Sequence, residues 1–170
     1  NIIVDREPTQ INISDINLAA GDDNAVLAAT GSLTGTLDGG DGSGDALTLN
    51  AENNTLTVDQ AWTGSASSAG NSKGTSISGF ETIRLDGGAD IANLSFTGTT
   101  AAINKRGLSL SGGNDSSLDT LNITLNDKER LHLEQSNQLQ DLESYLATPT
   151  GKTLSISFLE SVIEFSEFEI

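Results

Sequence analysis

The chain has 170 residues, no cysteine, 24 acidic against 8 basic residues for a formal charge of −16, and only 35% hydrophobic and 4% aromatic content. Those numbers exclude disulfides, thiolate metal sites and cysteine nucleophiles, and a field of that sign repels nucleic acid phosphates and anionic lipid headgroups. No apolar run approaches the roughly 20 residues of a membrane-spanning helix, so no membrane insertion is expected, and the core has to be thin and aliphatic.

The first sixty residues hold ten carboxylates against one cation, Arg6, a crowding that solvent, salt or a bound divalent cation has to screen. The sequence begins at Asn1 and contains no methionine, so it reads as an excised or processed fragment whose export signal lies outside it. A unit then recurs three times. Leu37-Asp38-Gly39-Gly40 leads to Leu47-Thr48-Leu49, Leu85-Asp86-Gly87-Gly88 to Leu94-Ser95-Phe96, and Leu110-Ser111-Gly112-Gly113 to Leu121-Asn122-Ile123. In each, a strand ends, Gly-Gly allows positive φ at a tight corner, a polar turn follows and a new strand begins. Thr55-Leu56-Thr57-Val58, Ile83-Arg84-Leu85 and Leu108-Ser109-Leu110 alternate apolar and polar residues, which predicts strands with one buried face.

Trp62 precedes a run rich in Gly, Ser, Ala and Asn from Thr63 to Ser76, which predicts a long protruding loop. The ring is then either a binding contact or a plug over the base of its own loop. The second and third glycine pairs are 25 residues apart (87 to 112) and the first and second 48 apart (39 to 87), close to twice that. A coil of about 20–30 residues matches one rung of a β-solenoid, with a β-sandwich as the competing arrangement.

Beyond residue 125 the pattern changes. Leu121 to Leu133 alternates well enough for one or two strands, interrupted by a turn at Asn126-Asp127-Lys128-Glu129. Ser136 is placed to cap a helix with Leu139, Leu142, Tyr145 and Leu146 on one face, ended by Pro149 and Gly151, and Thr153 to Leu159 predicts a further strand. The expected organisation is a β-solenoid repeat region over 1–125 and a C-terminal section with one helix over 126–170, which caps the repeats or links them to the next module.

His132 is the single histidine. A Ser-His-Asp arrangement would have to use it, yet it sits between Leu131 and Leu133 where a strand faces solvent, and a zinc site would need further nitrogen or sulfur ligands. Abundant carboxylates keep a carbohydrate-active β-helix enzyme, a polysaccharide lyase or glycosidase, as the alternative to a non-catalytic module. One Trp and one Tyr supply few aromatic platforms for sugar rings.

The stretches Gly21-Asp22-Asp23-Asn24-Ala25-Val26-Leu27, Leu37 through Leu47, and Ile77-Ser78-Gly79-Phe80-Glu81-Thr82-Ile83 resemble the repeat region of large secreted bacterial adhesins and exoproteins. The likeness is to the filamentous-haemagglutinin-like class and its relatives with calcium-binding nonapeptide repeats, and it covers roughly residues 21–123. It implies a mainly all-β fold, a right-handed parallel β-helix or solenoid with a short α-helix in a C-terminal capping section. It also implies a secreted or bacterial cell-surface location and a structural or adhesive, non-catalytic role. The implied partners are a glycan or protein on a host or neighbouring cell surface and adjacent domains of the same long chain. Against the nonapeptide G-G-x-G-x-D-x-U-x, Gly39-Gly40-Asp41-Gly42-Ser43 fits, and one extra residue, Gly44, precedes Asp45. The resemblance thus implies Ca²⁺ held by hard oxygen ligands at Asp41 and Asp45, with a solvated Asp/Gly turn as the other reading.

Overall fold

A computed structural model describes residues 2–4, 15–28, 35–50, 53–68, 74–97, 107–115, 117–148, 152–159 and 161–168. Among them run β1 (Ile2–Val4), β2 (Ile16–Asn17), β3 (Asn24–Ala28), β4 (Thr36–Asp38), β5 (Ala46–Asn50), β6 (Asn54–Asp59), β7 (Gly64–Ser68), β8 (Thr75–Ser78), β9 (Thr82–Arg84), β10 (Ile91–Phe96), β11 (Leu108–Ser111) and β12 (Thr120–Leu125). Two helices, α1 (Asp127–Gln135) and α2 (Gln138–Ala147), and two strands, β13 (Leu154–Ser157) and β14 (Val162–Ser166), follow.

These strands form two sheets of seven, ordered β1-β3-β5-β9-β11-β14-β13 and β2-β4-β8-β7-β6-β10-β12. From β1 to β6 the chain changes sheet at every link, so each connection is a corner between sheets rather than a hairpin within one. Neighbours pair in parallel throughout, except that β7 is antiparallel to β6 and β8, and β13 is antiparallel to β14.

This corrects the expected right-handed parallel β-helix. The chain forms two mixed, mostly parallel sheets with two helices, and the sheets are not closed into a coil. The cause lies in the 48-residue interval, which is not two rungs. It contains the detour β6-β7-β8, which stays within the second sheet. The three glycine units are not equivalent either. Gly39-Gly40 turns the chain from the second sheet into the first, whereas Gly87-Gly88 and Gly112-Gly113 turn it from the first into the second. At all three the second glycine carries the positive φ: 99° at Gly40, 116° at Gly88 and 121° at Gly113. A Cβ on Gly40 would collide with the carbonyl oxygen of Ala19, and one on Gly113 with that of Asp86.

Register stacks the inward residues. Ala25, Leu47, Ile83, Leu110 and Phe165 follow one another across the first sheet. Leu37, Ile77, Val58 and Leu94 lie in the second, and all nine are buried. Each buried leucine or isoleucine contributes about 1.5–3 kcal/mol relative to exposure.

The run from Thr63 to Ser76, expected as a loop, contains β7 and the start of β8. Alternation is present there in miniature, since Ala66 points inward and is buried while Ser65 is exposed. The four-residue turn from β6 to β7, residues 60–63, is held by Asp59. Its Oδ1 accepts from the Ala61 N–H at 2.8 Å and the Thr63 N–H at 3.2 Å. Trp62 takes the left-handed conformation there (φ 56°), and its ring is buried edge-on to Phe96 at 6.0 Å.

The C-terminal section has two helices, not one. Asn126, read as part of a turn, caps α1 through Oδ1, which accepts the N–H groups of Lys128 and Glu129 at 3.0 and 2.9 Å. Of the alternating pair Leu131 and Leu133 only the second is buried, as helical geometry requires. Ser136 ends α1 rather than starting α2, whose N-cap is Asn137. Pro149, Gly151 and Arg6 lie outside the described residues. β14 pairs with β11, so residues beyond 126 complete the first sheet. The edge strand β13 is sealed by the helices. The Ser157 N–H donates to Gln138 Oε1 at 2.9 Å, its carbonyl lies 3.1 Å from His132 Nε2, and the Leu159 N–H donates to Glu129 Oε2 at 3.0 Å. His132 is therefore an edge-sealing helical residue, not a solvent-facing strand residue.

Candidate functional site

Acidic residues stand immediately before six strands: Asp15, Asp23, Asp45, Glu81, Asp90 and Asp119. The parallel register brings the entrances of neighbouring strands together, and there a carboxylate accepts the backbone N–H of the adjacent entrance. At the corner into the first sheet, Asp45 Oδ1 accepts from the Asp23 N–H at 2.7 Å and Glu81 Oε2 from the Asp45 N–H at 3.0 Å. At the corner into the second, Asp90 Oδ1 accepts from the Asn54 N–H at 2.6 Å and Asn54 Nδ2 at 3.0 Å. Asp119 Oδ1 accepts from the Asp90 N–H at 3.1 Å. Such a hydrogen bond contributes about 1.5–3 kcal/mol when the accepting carboxylate is ionised and about 0.5–1.5 kcal/mol when it carries a proton. They also satisfy corner N–H groups that the ladders leave over.

The two residues expected to hold calcium separate. Asp45 is fully buried, its carboxylate packed under Gly42, with Oδ2 lacking a hydrogen-bond partner, while Asp41 is exposed and its backbone N–H donates to the Ala19 carbonyl at 2.7 Å. Among the described residues no three His, Cys, Asp or Glu side chains gather in a metal-holding group, so the calcium expectation rests on the resemblance. Trp62, at 1% exposure, is a core ring and offers no surface contact.

Asp90 and Asp115 show the local electrostatics. Burial pushes the Asp90 carboxyl up to about 7 against the lowering effect of the Asn54 donors, and the nearby charges of Asp119 and Asp115 add to the rise. Asp115, in the same corner, is held below the usual Asp range, first by the Gly88 N–H at 2.5 Å and then by the Ser117 N–H at 2.7 Å.

Among the described residues, a groove and a sheet face are open to a ligand. A groove of about 460 Å³ beside β11 and β14 is lined by Ser43, Glu81, Leu108, Ser109, Val162 and Glu164 among others. Its two carboxylates come from different elements, and Glu81 is already engaged by the Asp45 N–H. The second surface is the outer face of the second sheet. There Thr36, Ser76, Ser65, Thr57, Asn93 and Asn122 line up in register across six strands. Asn122 Nδ2 donates to Asn93 Oδ1 at 2.9 Å, and Asn93 Nδ2 to Thr57 Oγ1 at 3.4 Å. This row carries no charge in a chain whose formal charge is −16.

The buried acids went unread in the sequence, although an acid followed by an alternating run recurs at six places. The neutral row has no sequence signal, because only register assembles it. No family model, curated protein or solved structure matches the chain.

Proposed function

We propose that the chain is a non-catalytic structural and adhesive module of a larger secreted bacterial surface protein, with the outer face of the second sheet as its contact surface for a neutral glycan. The observation that carries this reading is the uncharged row from Thr36 to Asn122. A flat array of hydroxyl and amide groups, spaced by the roughly 4.8 Å between strands, offers paired donors and acceptors to sugar hydroxyls. Acidic corners beside it repel nucleic acid and anionic lipid. The test is binding of the full chain to a panel of neutral oligosaccharides, compared with Asn93→Asp and Thr57→Lys, which place charge in the row. Retention of one glycan class by the wild type and its loss in both variants supports the reading. Equal retention by all three, or none by the wild type, overturns it.

A second reading, a carbohydrate-active enzyme, draws on Glu81 and Glu164 at the groove, since glycoside cleavage uses two carboxylates about 5–10 Å apart. The binding reading is favoured because Glu81 is committed to a backbone N–H and, among the described residues, no aromatic side chain lines the groove. Release of reducing sugar by the wild type and not by Glu164→Gln would reverse that preference.

A further inference from the structure

Asp90 is 1% exposed, and its two oxygens have unequal surroundings. Oδ1 is bound by both Asn54 donors, while Oδ2 is buried with no hydrogen-bond partner. The groups facing the carboxyl come from every element packed there. The entrance to β6 supplies Asn53 and Asn54, both neutral. The entrance to β12 supplies Asp119, and the corner before it Asp115. Behind Asp119 stand the Tyr145 phenol of α2 and, after β14, Glu167, whose backbone abuts Gly112 beside Asp119 Oδ2. The two charges that act on Asp90 are both negative. A buried carboxylate oxygen with neither donor nor cation carries a large desolvation cost, and the negative charges of Asp119 and Asp115 nearby further favour a proton on Asp90.

We propose that this corner is a proton-operated latch: with a proton on Asp90 the entrances to β6, β10 and β12 are clamped together, and loss of that proton loosens them. Loosening is local, because Asp90 is the shared link. It accepts from Asn54, donates to Asp119, and its carbonyl accepts the Thr120 N–H at 2.7 Å. Asn54 Nδ2 in turn reaches the Leu85 carbonyl at 2.6 Å, tying the corner to the strand before it. An ionised Asp90 must draw water to Oδ2, which parts these contacts.

The direction follows from linkage. The folded-state value, about 7, lies above the ordinary 3.8, so this contribution is fully present below the ordinary value. It is lost as the pH rises through about 7. The test measures thermal midpoints of the full chain between about pH 5 and about pH 8 for wild type and Asp90→Asn, with amide exchange at Asn54 as the local readout. The wild-type midpoint is expected to fall on the order of 5 °C more than that of Asp90→Asn over this range. Asn54 exchange should accelerate beyond its intrinsic pH dependence only in the wild type. Because the whole chain is acidic, the difference between the two proteins is the informative quantity. Should Asp90→Asn not fold, carboxyl carbon titration of the wild type by NMR decides: a midpoint near 7 at Asp90 supports the latch, and one below about 5 overturns it. Parallel pH profiles of the two proteins also overturn it.

Discussion

At the corner leading into the first sheet, Asp45 accepts the Asp23 N–H and passes its own N–H to Glu81. At the corner leading into the second, Asp90 accepts both donors of Asn54 and passes its N–H to Asp119. The chain uses one device twice, an acid at a strand entrance serving the neighbouring entrance. What differs is the company kept. Asp90 Oδ1 is bound by an asparagine side chain as well as a backbone N–H, and in the same corner Asp115, 25 residues along the chain, exposed and bound by two backbone N–H groups, shifts in the opposite direction. The lesson is that donors and burial compete at these two carboxyls, and that the winner changes within a single corner.

Substitutions at the two corners test how alike they are. The largest effect is expected where both corners depend on backbone contact. Gly40→Ala and Gly113→Ala each combine a positive φ with a collision against a neighbouring carbonyl, and each is expected to cost more than about 3 kcal/mol in chemical denaturation. Similar losses would show the corners equally tight, while a loss at one alone would break the parallel. Next comes Asp45→Ala, which removes the acceptor of the Asp23 N–H at a fully buried site. We expect a loss of about 1–3 kcal/mol, seen as a lower denaturation midpoint with unchanged slope. Gln138→Ala tests whether sealing of the sheet edge is as important as the corners. Freeing the Ser157 N–H is expected to cost about 1 kcal/mol and to speed amide exchange at that residue. The smallest effect belongs to Asp115→Asn. A lowered folded-state value means that the carboxylate's contribution is present above the ordinary Asp range and lost as the pH falls through the folded value. Wild type should therefore lose a small increment of thermal stability on acidification that Asp115→Asn lacks, opposite in sign to the Asp90 effect.

Much of this was legible in the sequence at the level of single elements. Alternation found the strands around Leu47, Leu56, Leu94 and Leu110, glycine pairs marked corners with positive φ at the second position, and the spacing of Leu139, Leu142 and Tyr145 gave α2. The arrangement was less legible, because a glycine pair does not say which sheet the chain is leaving. β7 escaped because Gly64 and Ala66 bury too little surface to register as apolar. α1 escaped because Leu131-His132-Leu133 reads with period two, and only the Asn126 cap shows the helical alternative. At the site, Asp90 differs locally from its exposed neighbour Asp86 only in standing before an alternating run, and its burial follows from the stacking of entrances, which is a property of register. Trp62 was open to two readings, a surface contact or a plug over the base of its own loop, because sequence does not say which way a turn residue points its ring; the ring is buried edge-on to Phe96.

Ser157 has consequences beyond its own hydrogen bonds. A foreign strand approaching the β13 margin finds the donor and acceptor of Ser157 already occupied by Gln138 and His132. Edge-to-edge recruitment of another polypeptide is thereby blocked at that residue, and an assembly that elongates this sheet by backbone pairing has to grow from elsewhere. Two modest side chains give the molecule a direction along which it resists fibrillar growth.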